Sequence, residues 1–277
     1  MASLETPESG SNNNNNGVTV VEETTPSEVS MNPEEQEINS GDEFPDEVEM
    51  SLFDHLEELR QRIFYSLIAV VIGAVGCFIF ANSIVELLEK PAQGVKFLQL
   101  APGEYFFVSI QVAGYSGLLL ASPFVLYQIV KFVLPGISVQ ERRFLGPIFF
   151  GSTILFGVGL VFAYLAIVPA ALKFFIGYGG DVVEQLWSIE KYFSFVLKLL
   201  FVTALSFQVP VIQILLGLLG IVSSEKMFSG WKYVVLGAFV IGAVLTPSTD
   251  PLTQSLLGGS VVLLYFGGIG VVKVLGK

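Results

Sequence analysis

Three stretches of this chain set polar side chains among apolar neighbours at spacings that could do chemistry. In SLFDHLEELRQRI, residues 51–63, Leu52, Leu56, Leu59 and Ile63 recur at helical spacing. That apolar stripe can lie along a membrane interface before the chain turns inward. The other side carries Glu58, Arg60 and Arg62. As an exposed i,i+4 pair, Glu58 and Arg62 are worth only about 0.2–0.5 kcal/mol, and Ser51 with Asp54 has the spacing of a capping box. In LPGISVQERRFLGP, 134–147, Pro135-Gly136 closes a helix. Ser138 and Glu141 then have the S-x-x-E spacing that caps the next one, and Arg142-Arg143 reads as a basic anchor. Phe132, just upstream, reads as a packing or lipid-facing aromatic. In SFQVP, 206–210, Gln208 is a strongly polar amide deep in an apolar run, and Pro210 removes a backbone hydrogen bond just after it. An amide in lipid needs partners, so Gln208 is expected to face other helices or a hydrated cavity.

No catalytic set accompanies these residues. The sequence holds no GxSxG, HExxH, CxxC or Walker loop. One histidine, His55, excludes a multi-histidine metal site, and one cysteine, Cys77, excludes an intramolecular disulfide. Cys77 lies in an apolar run and reads as a small buried hydrophobe. The expectation is a protein without catalytic residues, metal or cofactor.

The elements that position these groups are membrane spans. The 277 residues are 52% hydrophobic and 14% charged, with mean hydropathy +0.68. A soluble domain carries about 25% charged residues. Charge-free apolar runs fall at about 63–85, 105–130, 144–172, 192–219, 233–249 and 252–272. This predicts an all-α polytopic membrane protein of six helices over 51–277. The third and fourth runs are long enough to require tilt or kinking. The fifth and sixth, joined by TPSTDP, are expected to be short and to thin the bilayer locally.

Residues 1–50 carry 13 of the 25 acids and no Lys or Arg. The net charge of −11 is therefore an acidic tail on a slightly basic body. With few apolar groups to offset ordering entropy, the tail is expected to be disordered. It has neither the basic start and apolar core of a signal peptide nor the arginine-rich composition of a transit peptide, so it reads as the start of a processed form. The body offers no basic face for a nucleic acid. Counting Lys and Arg with the N-terminus inside puts Arg60, Arg62, Lys131, Arg142, Arg143, Lys226, Lys232, Lys273 and Lys277 on the inner side. Lys90, Lys96, Lys173 and Lys191 fall outside, so both termini are expected inside.

Together, HLEELRQR at 55–62, F-x-x-P at 132–135, ERR at 141–143, SFQVP and the LTP at 245–247 resemble TatC, the core of the twin-arginine protein translocase. The resemblance covers roughly 51–275. It implies a concave, glove-like bundle that binds twin-arginine signal peptides and passes folded cargo across the membrane at the expense of the proton gradient. It assigns the arginine pair to Glu58 and Glu141, and places Arg60, Phe132 and Pro91 on positions that matter in the family. It implies TatA-type and TatB-type single-span partners, contact with membrane lipid, and a homo-oligomer inside a larger complex. Gln208 stands where many bacterial members carry a glutamate, and an amide cannot ionise. This amide and the acidic extension resemble chloroplast members, which implies a thylakoid membrane with both termini in the stroma, the alternative being a bacterial inner membrane. The competing reading is a secondary transporter or channel for a small solute. It would need several polar groups at mid-membrane depth, where Gln208 has only hydroxyls such as Ser122 and Thr203 for company. It would also need a repeated helix break, which is not apparent.

Overall fold

The computed structural model describes residues 52–92, 95–178, 186–245 and 251–277. The acidic tail, the capping role expected of Ser51 and the turn at 246–250 lie outside them. The first helix, α1 (Leu52–Ile79), is 28 residues long and continuous. The segment at its start therefore forms no separate interfacial helix. Between Leu52 and Ile63 there is no Gly or Pro, and its Leu, Glu, Arg and Gln are good helix formers. The rod breaks only at Phe80, before α2 (Ala81–Glu89), so the first apolar span is Phe53–Ile79 rather than 63–85. Its exposed face, with Phe64, Ile68, Ile72 and Val75, is a stripe that lipid, not water, can solvate.

The chain returns through β1 (Lys96–Leu98) into α3 (Glu104–Val133). α3 lies antiparallel to α1: Asn82 accepts from Tyr105 Oη at one end, and Arg62 reaches Gln128 at the other. Midway, the two backbones touch. A Cβ on Gly117 would stand 2.3 Å from the Ala74 nitrogen, and one on Gly73 2.8 Å from the Gly117 oxygen. With hydrocarbon as solvent, such small-residue approaches are what hold helices together. Pro123, inside α3, has no N–H for the Leu119 carbonyl, and the Ser122 hydroxyl donates to it instead at 2.7 Å.

The third span is α4 (Leu145–Phe162), a π-turn (Ala163–Ile167) and α5 (Val168–Gly177), a single long rod whose irregular turn precedes Pro169. This is the irregularity its length implied. After β2 (Leu186–Ser188), which pairs in parallel with β1, come α6 (Ile189–Ser206) and α7 (Val209–Leu218), broken at Phe207–Gln208 ahead of Pro210. α8 (Ser224–Ser229) leads to α9 (Trp231–Leu245) and α10 (Pro251–Val274). Of the last two, α9 is the short one, its 15 residues reaching about 22 Å. α10 has 24 and is long enough to cross. The described residues include five apolar helical spans and one shorter apolar helix.

The main core joins Val108 and Val112 of α3 to Ile167, Ala171 and Leu172 of the third span and to Phe193, Val196 and Leu197 of α6. At the β1–β2 end, buried Glu104 ties the return loops together. Its carboxylate accepts from the backbone N–H groups of Leu100, Ala101 and Glu190 and from the Ser188 hydroxyl. A second core, with Val130, Ile137, Leu145, Ile148, Val211 and Leu215, backs the opposite end.

The glycine contact yields a paired expectation. Gly117→Leu should force α1 from α3 and lower the detergent-solubilised protein's Tm by several degrees. Gly114→Leu, three residues away with nothing within 4 Å, should leave it unchanged. Equal melting of the two variants would disprove the packing argument.

Candidate functional site

At the end where α1 starts and α3 finishes, the His55 ring stacks on Phe132 with centroids 4.3 Å apart and planes 18° from parallel. One helical turn later, Glu58 Oε1 accepts from Arg62 Nε at 3.1 Å and from Arg62 Nη2. Arg62 Nη1 donates to Oε1 of Gln128, a buried amide of α3, at 3.1 Å. The Glu58–Arg62 pair is therefore part of a tertiary link. Both side chains are largely covered, at 17% and 23% exposed, so screening by water is weaker than on an open helix face. Both Arg62 bonds fall on Oε1. Glu58 Oε2 is buried and has no hydrogen-bond partner, and a buried unpaired carboxylate oxygen is a costly arrangement that a donor would relieve.

Glu141 stands in the loop beyond Phe132, at the same end of the bundle. The capping box expected with Ser138 is not formed. A short 3-10 turn, Arg142–Phe144, intervenes before α4 begins at Leu145, so Glu141 is too far upstream to cap that helix. The N–H groups of Glu141 and Arg142 go instead to the Ser138 carbonyl. The Glu141 carboxylate pairs with the ammonium of Lys277, at the end of the chain. The adjacent cations are engaged elsewhere: Arg142 Nε donates to the Ile137 carbonyl at 3.3 Å, and Arg143 lies 4.8 Å over the Phe144 ring. The Lys277 hydrogen bond and charge, with help from Ser138, hold the Glu141 carboxyl below the usual carboxylate range despite the opposing effect of partial burial.

The remaining candidates separate. Arg60 is exposed and pairs with Glu57, away from the Glu58 link. Pro91 is in the 3-10 turn Lys90–Ala92, at the far end of α1's partner helices. There, Tyr164 and Tyr192 donate to the carbonyls of Leu87 and Leu88. Gln208, buried at the α6–α7 break, is satisfied by one residue of α4. Its Oε1 accepts from Ser152 Oγ at 2.7 Å, and its Nε2 donates to the Ser152 carbonyl at 3.2 Å. The structure thus sets Glu58 one helical turn from the His55 that stacks on Phe132, places Glu141 at the same end, and leaves Arg60, Pro91 and Gln208 apart from them. Sequence reasoning missed Gln128 and Lys277. Gln128 had a signal, an amide in an apolar helix, whereas Lys277 had none, because its partner is distant in sequence.

The scaffold that carries this acidic end has counterparts among known proteins. Residues 54–259 match the family model of the Sec-independent protein translocase protein TatC. The chain belongs to the TatC family. The TatC protein of Synechocystis sp. is 67% identical over 236 residues, 85% of this chain and 93% of that protein. The chloroplastic TATC proteins of Pisum sativum and Arabidopsis thaliana are 57% and 58% identical, over 84% and 85% of this chain and 67% and 70% of their own lengths. A crystal structure of the twin-arginine translocase receptor TatC superposes with a TM-score of 0.72 at 35% identity, covering 80% of this chain and all of that one. As a TatC protein the chain is a membrane-spanning, non-enzymatic component of a protein translocase that works with other Tat subunits.

The depressed Glu141 carboxyl fixes the sign of a pH effect. Its stabilising pairing is fully present above the ordinary carboxylate range and is lost as pH falls through the lower folded-state value. Carboxyl titration of 13C-glutamate-labelled protein should show the Glu141 carboxyl titrating low, and Lys277→Gln should return it towards normal. Identical titration in the variant would rule out the pairing.

Proposed function

We propose that the chain is the signal-peptide receptor of its translocase, with Glu58 and Glu141 taking the two guanidinium groups of a twin-arginine signal. The observation that carries this is the unpaired, buried Glu58 Oε2, on the helix turn that follows the His55–Phe132 stack. A second carboxylate at the same end has a single lysine as its ion-pair partner. A guanidinium fork matches a carboxylate's two oxygens, which an ammonium cannot do, and Phe132 offers an apolar wall for the rest of the arginine. Arg62 and Gln128 hold Glu58 in place, and Arg60 lends its charge to the exposed flank.

In this reading the acidic end faces the compartment where cargo is made. That is the stroma if the membrane is a thylakoid, as the chloroplastic relatives suggest, or the cytoplasm if it is cyanobacterial, as the Synechocystis relative suggests. The positive-inside count agrees with either. Single-span TatA-type and TatB-type helices dock in the membrane, where the short α9 creates a mismatch that favours association. Copies of the chain assemble within that complex, and the proton gradient drives transport. Gln208 would act on a partner only by exchanging its Ser152 bonds. A small-solute path is less well supported, because the mid-membrane hydroxyls it would use are taken: Ser122 donates to Leu119 and Thr203 to Leu199.

Site-specific photocrosslinking of a twin-arginine precursor to the membrane-embedded chain tests the reading. Loss of one charge-assisted bond should weaken binding roughly 10- to 100-fold in Glu58→Gln or Glu141→Gln. Glu57→Gln should have little effect, since Glu57 serves only the exposed Arg60. Undiminished crosslinking in both site variants would refute the assignment.

A further inference from the structure

The contact between Glu141 and Lys277 joins the proposed signal site to the far end of the chain, and its geometry is built. α10 ends in a glycine cap. Gly276 takes the left-handed conformation, φ +75°, and its N–H bonds the Lys273 carbonyl at 3.0 Å. The Lys277 N–H returns to the Val272 carbonyl at 3.3 Å. These two reversed bonds are the signature of a helix that turns its chain back on itself. The Lys277 main-chain oxygen then accepts from the Ser224 N–H at 3.2 Å. Beneath, Val272 packs on Gly217 of α7, where a Cβ would come within 2.9 Å. The Lys277 backbone is therefore tied at both its donor and its acceptor, and only its side chain is free to swing. That side chain is about a third exposed, so the ammonium can leave for water without crossing an apolar barrier. The two nearby arginines are turned to other partners, Arg142 Nε to the Ile137 carbonyl and Arg143 to the Phe144 ring.

We infer that Lys277 is an internal competitor for the signal: its tethered ammonium holds the Glu141 carboxylate that a signal guanidinium must take, and so sets the affinity of the site. This deepens the receptor reading above and rests on it. An ammonium is a single-point ligand, whereas a guanidinium covers both carboxylate oxygens, so the arginine can win the exchange. Displacement also trades one ion pair for another. Salt weakens the departing and the arriving pair alike, so this carboxylate adds little to the salt sensitivity of binding while Lys277 is present.

The test uses the full chain in lipid nanodiscs and a fluorophore-labelled twin-arginine signal peptide, with affinity measured across a salt series. Lys277→Gln should tighten binding roughly two- to fivefold, the weight of a partly exposed ion pair, and should steepen its loss with salt. Gly276→Val, which keeps the ammonium but disrupts the left-handed cap that aims it, should change affinity and salt slope in the same directions. In a Glu141→Gln background, Lys277→Gln should do nothing. Weak binding by Glu141→Gln together with unchanged affinity and slope in Lys277→Gln would overturn the competitor alone and leave the receptor reading intact. Weaker binding by Lys277→Gln would overturn it too, because the lysine would then be supporting the site. Unaltered binding by Glu141→Gln would bring down both readings.

Discussion

The placing of Glu58 at the acidic end depends on the backbone contact between α1 and α3 at Gly73 and Gly117. In a bilayer no hydrophobic force drives two apolar helices together, because lipid tails are as apolar as leucine, so close approach and interhelical hydrogen bonds must suffice. The glycines allow the approach. The approach fixes the register, and that register lays Arg62 on Gln128 and His55 on Phe132, several turns away. Glu58 is positioned as a result. A bulkier residue at either glycine would keep the spans and disturb that register.

The two carboxylates solve the boundary problem in opposite ways. Glu58 is held by an arginine on its own helix and leaves one oxygen without a partner. Glu141 is held by a lysine from the other end of the sequence, in a loop with water nearby. A charge at the mouth of a bundle must be paired yet accessible, and partial exposure meets both conditions, since deep burial would make separating the pair too costly. Glu104 at the far end shows the contrast. Four donors from the return loops and the start of α6 fill both of its oxygens, and it is a structural clamp rather than a binding group.

Much of the architecture was legible in the sequence, because a span is a matter of length and apolarity. The helix break before Pro210, the irregular third rod, the short α9 and the burial of Cys77 all follow from local chemistry. The fate of residues 51–63 was less legible. An amphipathic stripe fits an interfacial helix and the first turns of a spanning helix equally well, and packing against α3 settles it. β1 and β2, three residues each, carry too little pattern to announce themselves. At the site, Glu58–Arg62 is readable from its four-residue spacing. The Ser138–Glu141 spacing misleads, because a 3-10 turn intervenes before the helix. Gln128 and Lys277 matter through contacts that only the folded chain creates.

The π-turn at Ala163–Ile167 acts as a phase shifter within the third rod. A wide turn takes up one extra residue, and each residue of a helix advances its face by about 100°. Everything from Val168 onward is thus rotated relative to a plain continuation of α4, and it is in that rotated setting that Val168, Ala171 and Leu172 meet the core. Were that turn to tighten into regular helix at unchanged length, the stripe would swing by about 100° towards the lipid, whereas deleting one residue from 163–167 would heal the rod and leave the stripe on the core.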